Sequence, residues 1–214
     1  MSVIDQTIDF VKKTLKGAEG GHDWWHIYRV WQTSITIAKQ EPVNMLVVEL
    51  AALLHDIADS KFNNGDEEIG PLTAANFLRS IGVDENSIDE VGQIIRHISF
   101  KAGFEKLSYQ SKELEVVQDA DRLDAIGAIG IARAFSYGGF MQREFYDPGI
   151  PPNLKMSKEE YKNSKAPTIN HFYEKLLLLK DKMNTRTGKR LAVERHEFME
   201  KYLEQFYGEW SGKK

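Results

Sequence analysis

Four residues of this chain have the types and the setting to hold a divalent metal ion: His26, the neighbours His55-Asp56, and Asp121. His55-Asp56 ends an apolar helical stretch, Val47-Val48-Glu49-Leu50-Ala51-Ala52-Leu53-Leu54. An imidazole beside a carboxylate at such a point is costly to bury unless something charged binds both. Two nitrogens and two oxygens suit Mn²⁺, Fe²⁺, Co²⁺, Ni²⁺ or Zn²⁺, with Mg²⁺ a further candidate, and leave positions for water. A cation held this way lowers the pKa of its water and polarises a phosphoryl oxygen, so one ion both makes and aims a nucleophile. The bland alternative is that a histidine in a helix is a packed or surface residue, and His-Asp pairs also arise by chance. Against it, four of the six histidines precede Asp121, and His22-Asp23, His26 and His55-Asp56 all stand beside or near acids.

Adjacent helical residues point about 100° apart. His55 and Asp56 can therefore share an ion only where it lies between helices, with His26 and Asp121 closing from other sides, as in a helical bundle. The hydrophobic pattern supplies such helices. Val3, Ile4, Ile8, Val11 and Leu15 recur at three- and four-residue steps until Gly17 and Gly20-Gly21 stop the run. Asp23 can cap a second helix carrying Trp24, Ile27, Val30, Trp31, Ile35 and Ala38; Trp24 and Trp31 read as core and Trp25 as rim. Pro42 opens a third helix that runs to Ile57, and the polar loop Asn63-Asn64-Gly65-Asp66 follows. Pro71 starts a fourth, with Leu72, Ala75, Phe77 and Leu78. Asp84 or Ser87 caps a fifth, which ends near His97. Two more cover Glu113 to Leu123 and Asp124 to Phe135.

Between Gly138 and Pro167 lie four of the six prolines, with Gly138-Gly139 and Gly149, so residues 138–167 read as an irregular insertion of the length that serves as a lid. Helical periodicity returns over His171 to Leu179 and Leu191 to Phe206, in C-terminal helices spanning 168–207. No alternation persists long enough for a sheet, and there is no internal repeat. The chain reads as one all-α domain over 1–214, a helical bundle whose motif-bearing core covers 21–139.

Composition narrows the function. A net charge of −4 gives no general attraction for nucleic acid, so no nucleic-acid polymer is expected as a partner. The absence of cysteine excludes disulfides and thiolate metal sites. No apolar run approaches the roughly 20 residues that span a bilayer, and the amphipathic N-terminus does not read as a signal peptide. The expected location is the cytoplasm, with no membrane partner. There is no GxxxxGK[ST] phosphate loop, no GxGxxG fingerprint, no HExxH and no GxSxG, so phosphate handling is not that of a P-loop enzyme.

Three segments resemble the HD-domain metal-dependent phosphohydrolases: His22-Asp23-Trp24-Trp25-His26-Ile27-Tyr28-Arg29-Val30, Leu53-Leu54-His55-Asp56-Ile57-Ala58-Asp59, and Gln118-Asp119-Ala120-Asp121-Arg122-Leu123-Asp124-Ala125-Ile126-Gly127. The small bacterial single-domain HD hydrolases are the most similar group. The resemblance places the metal ligands on His26, His55, Asp56 and Asp121, and fills all four positions. Binuclear branches carry further histidines between the HD pair and the last Asp. Here only His97 lies there, which favours a single ion, although His22 keeps the count open.

Other residues are candidates for catalysis or substrate contact. Asp59, three residues past Asp56, can orient the attacking water or simply cap a helix end. Lys61 can neutralise phosphate or lie in solvent. His97 and Lys101 bracket a helix end, where one can offset charge or protonate a leaving oxygen; the resemblance favours His97. Arg122 and Asp124 flank Asp121 and either contact phosphate and a ligand or pair with each other. His22 is a candidate substrate contact just before the second helix. Tyr137, Phe140, Arg143 and Tyr146 belong to the segment that can cover a site. His171 and His196 read as ordinary residues of amphipathic helices.

The resulting expectation is a metal-dependent phosphohydrolase acting on a small-molecule phosphate ester or phosphoanhydride. The resemblance points to a nucleotide or deoxynucleotide, with triphosphate cleavage to monophosphate and pyrophosphate among the reactions it implies. The rival is a regulatory module that binds a nucleotide or metal without turnover. Apolar positions on the C-terminal helices permit a homodimer.

Overall fold

The computed structural model describes residues 1–17, 23–58, 68–98, 109–157, 160 and 163–214. Among these residues there are nine α-helices, one 3₁₀ helix and no strand, which bears out the all-α reading. No described helix is long and apolar enough to cross a membrane. The chain divides into two compact units, Met1–Asp121 and Arg122–Lys214.

The first unit is built on a helix that is apolar all round. Its helices are α1 (Val3–Thr14), α2 (Trp24–Ala38), α3 (Met45–Leu54), α4 (Ile69–Ser80), α5 (Glu85–His97) and most of α6 (Lys112–Asp124). In α3, Val47, Val48, Leu50, Ala51, Ala52, Leu53 and Leu54 are fully buried. A helix with no polar face must be enclosed, and α1, α2 and α5 pack around it while α4 packs on α5. Local signals set the ends. Ser2 and Asp5 form a capping box on α1, Asp23 accepts from the His26 N–H, and Asp84 accepts from the Ser87 N–H. Gly17 follows α1 with a φ of 87°.

One boundary differs from the sequence reading. Asn44, not Pro42, starts α3, because its side chain accepts from the N–H groups of Leu46 and Val47. The helix ends at Leu54, and the Ile57 N–H bonds back to the Leu54 carbonyl in a tighter turn. His55-Asp56 therefore lies just past the helix. Trp24 and Trp31 are half-buried and not core; Trp31 donates to Glu49 at 2.9 Å, and Trp25 is exposed as expected.

The second unit holds α7 (Gly127–Phe140), α8 (Thr168–Glu174), a 3₁₀ helix (Leu176–Lys182) and α9 (Arg186–Trp210). α7 packs on α8 and α9, and the 3₁₀ helix packs on both α8 and α9. Phe135 is central, with its ring 5.3 Å from Phe145, 6.0 Å from Phe172 and 6.2 Å from Tyr202. α7 runs through Gly138-Gly139, so the irregular segment begins a few residues later than the glycines suggest. Gly138 is needed there, because a Cβ would lie 2.2 Å from Thr168 Oγ1. The described residues from Met141 to Pro167 are turns and irregular chain, apart from helical Glu160 and Asn163.

Candidate metal centre

Within the first unit, the four predicted ligands come together. His26 sits in the first turn of α2, its backbone N–H fixed 3.0 Å from Asp23 Oδ1. Its Nε2 lies 3.3 Å from His55 Nε2, 3.6 Å from Asp56 Oδ2 and 3.6 Å from Asp121 Oδ1. His55 Nε2 and Asp56 Oδ2 are 3.8 Å apart. His26, His55 and Asp56 form a group whose donor atoms all lie within 4.8 Å of one another. Asp121, on α6, reaches that group through His26.

The distances favour a shared cation over direct hydrogen bonding. Good N–H···O bonds span about 2.7–3.2 Å, and the side-chain nitrogen–oxygen separations within the cluster, 3.6 to 3.8 Å, are longer. Ligands about 2.1 Å from an ion sit about 3.0 Å apart at neighbouring octahedral corners and about 3.4 Å apart at tetrahedral ones. The separations of 3.3 to 3.8 Å among His26, His55 and Asp56 lie within a few tenths of an ångström of the tetrahedral spacing.

The tautomer of His55 also fits. Its Nδ1 lies 2.9 Å from the Ala52 carbonyl oxygen, which can only accept, so Nδ1 carries the proton and Nε2 turns a lone pair toward the cluster. The tight turn after α3 makes this contact possible. Both imidazole side chains are 2% exposed, against 20% for Asp56 and 39% for Asp121. The nitrogens thus form a buried floor and the carboxylates an accessible side.

The remaining candidates fare differently. His22, Asp59, Lys61 and Lys101 lie outside the described residues. His97 ends α5 half-buried, with Nδ1 donating to the Gln93 carbonyl at 2.8 Å, the same device that orients His55. Its ring packs against Tyr109 at 5.6 Å, and Gln118 Nε2 donates to its carbonyl at 2.9 Å. Gln118 was missed; its one sequence signal is its place three residues before Asp121 on α6.

Asp124 is 4% exposed and pairs with Arg133 at 2.5 Å. Arg122 Nη1 donates to the Lys182 carbonyl at 2.5 Å. Arg143 donates to the Ser164 carbonyl at 2.6 Å and stands over the Tyr137 ring, while Tyr146 packs on Phe206, Tyr207 and Trp210. His196 lies 3.3 Å from Glu200. Burial, with Lys175 and Arg143 nearby, pulls the His171 imidazole down to about 4.

The HD domain family pattern matches residues 24–126, a span that begins at α2 and holds all four clustered residues. The Bacillus subtilis protein YpgQ is 37% identical over 205 residues, covering 94% of this chain and 90% of its own. The chain belongs to the HD domain family. A solved HD-superfamily hydrolase from Bacillus thuringiensis is 45% identical, with a TM-score of 0.77 over 97% of this chain and 96% of its own. The structure of B. subtilis YpgQ in complex with ADP gives 37% identity and a TM-score of 0.75, covering 96% of this chain and 94% of its own. HD domains bind divalent metals, and the histidine–histidine–aspartate group here is of that chemistry.

Proposed function

We propose that this chain is a metal-dependent phosphohydrolase acting on a phosphoanhydride or phosphate ester of a nucleotide or deoxynucleotide. The observation that carries this reading is the gathering of His55 Nε2, Asp56 Oδ2 and Asp121 Oδ1 around His26 Nε2 at 3.3 to 3.6 Å. The nucleotide part is supported by the ADP complex of YpgQ.

His26, His55, Asp56 and Asp121 would hold one divalent ion. When bound, such an ion lowers the pKa of its water and polarises a phosphoryl oxygen. The two imidazoles supply neutral lone pairs, and the two carboxylates balance the ion's double charge, so an anionic phosphate can approach without net repulsion from the site. Substrate enters on the side of Asp121 and Asp56, the more exposed ligands. His97, oriented by its Nδ1–H bond to the Gln93 carbonyl, is assigned proton exchange near the phosphate on the strength of the sequence resemblance. Asp59 orients the attacking water, while Lys61, Lys101 and His22 contact substrate; these assignments rest on the sequence resemblance. Triphosphate cleavage to monophosphate and pyrophosphate, 5′-nucleotide hydrolysis and cyclic-nucleotide cleavage are the reactions within this class.

The test is turnover of a nucleotide panel with Mn²⁺, Co²⁺ or Mg²⁺. Phosphate or pyrophosphate should be released, chelator should stop it, and His55→Ala and Asp56→Ala should reduce it at least 100-fold. Full turnover by those variants would show the site to be misassigned. Nucleotide binding without product across the panel would favour the regulatory rival.

A further inference from the structure

The division between the two units falls inside one helix. α6 runs from Lys112 to Asp124; Asp121 is the last residue of the first unit, and Arg122 is the first of the second. Asp121 therefore lies one turn upstream of a helix end that belongs to the second unit. A metal ligand on a helix is only as well placed as that helix.

The end of α6 is held with unusual thoroughness by residues remote in sequence. Asp124, the final helical residue, is buried and ion-paired with Arg133 of α7 at 2.5 Å. Arg195 of α9 donates a short hydrogen bond to the Leu123 carbonyl, one of the acceptors that a helix C-terminus leaves without an intrahelical partner. Burial pulls the Arg195 guanidinium below its ordinary range, and the nearby Asp124 carboxylate offsets part of that. Arg122 donates to the Lys182 carbonyl. The stem of Arg195 packs against Gly127, where a Cβ would lie 3.0 Å from its Cγ, so the turn into α7 closes under the same side chain. Two cations at the negative end of a helix also oppose its dipole.

We infer that Arg195 and Arg133, acting through the last turn of α6 and Asp124, are positioning residues for the metal ligand Asp121. This rests on the metal-centre reading above and adds to it a remote control of ligand geometry. Asp121 is the most exposed ligand and meets the cluster through His26 at 3.6 Å, so a small shift of α6 would part it from the other donors. The effect belongs on metal affinity, and outer partners of metal ligands typically contribute about 10–100-fold there.

Calorimetric titration of the full-length chain with Mn²⁺, without any nucleotide, tests this directly. Arg195→Ala should bind Mn²⁺ about 10–100-fold more weakly than wild type. Arg195→Lys keeps a cation able to reach the Leu123 carbonyl and should recover most of the loss. Arg133→Gln is a gentler variant that leaves Arg195 in place and should weaken binding in the same direction, which keeps the inference testable if Arg195→Ala misfolds. Trp210→Leu, at the far end of α9 from Arg195, removes ring contacts with Tyr146 and Phe206, perturbs the second unit away from the α6 contacts given above and should bind Mn²⁺ normally. Wild-type affinity in both arginine variants, or an equal loss in Trp210→Leu, would overturn the positioning role while leaving the metal centre intact. Failure of the wild-type chain to bind Mn²⁺ would instead overturn the metal centre, and the positioning role with it.

Discussion

Removal of His26 is the sharpest perturbation of the proposed centre, because its Nε2 alone stands within 3.6 Å of donor atoms from His55, Asp56 and Asp121. A ligand present at about 100 times its Kd stabilises the folded state by about 2.7 kcal/mol. For a chain of this size each kcal/mol moves the melting temperature by about 2–4 °C. Mn²⁺ or Co²⁺ should therefore raise the melting temperature of the wild-type protein by about 5–11 °C. In His26→Ala the donor that lies nearest all the others is gone, and three ligands in place of four, with no central one, should leave a rise of about 2 °C or less under the same metal concentration. The substitution also empties a buried site, lowering the metal-free baseline by about 2–5 kcal/mol. Each variant is accordingly compared with its own metal-free melt, by scanning calorimetry with and without chelator. An undiminished metal-dependent rise in His26→Ala would refute the assignment of this cluster as the ion's binding site.

Two further outcomes are expected in the second unit. His171 titrates at about 4 in the folded chain against an ordinary 6.5, so between these values the unfolded chain binds a proton that the folded chain does not. Stability is then fully present above pH 6.5 and falls as pH drops toward 4, by about 3 kcal/mol, and His171→Gln should flatten that part of a urea-melt profile. Gly138→Ala would set a methyl 2.2 Å from Thr168 Oγ1, costing about 1–3 kcal/mol. Thr168→Ala removes an oxygen that has no hydrogen-bond partner among the described residues, so the double variant should recover most of that loss in a double-mutant cycle.

What could be read from the sequence was mostly local. Asp23 and Asp84 announce their helices because an N-cap acts within three residues, and Gly17 ends α1 because a positive φ suits glycine. The convergence of His26, His55, Asp56 and Asp121 was also foreseen, since metal chemistry demands those residue types and helix geometry requires that the ion sit between elements. The start of α3 was misplaced because proline is a strong helix-start signal, while Asn44 accepts two N–H groups and decides the matter. Gly138-Gly139 read as breakers because their role, making room for Thr168, depends on a residue thirty positions further on. The ion pair of Asp124 was hidden for the same reason, since Arg133 lies nine positions further on.

His26, His55-Asp56 and Asp121 are widely spaced along the chain, yet their side chains meet in one small volume. A cation caught among them would act as a reversible cross-link, tying α2, the end of α3 and α6 into a single knot and denying the unfolded chain much of its freedom. The lifetime of the protein would then follow the local supply of that ion, with depletion exposing the N-terminal half to proteases well before any catalytic deficit is complete.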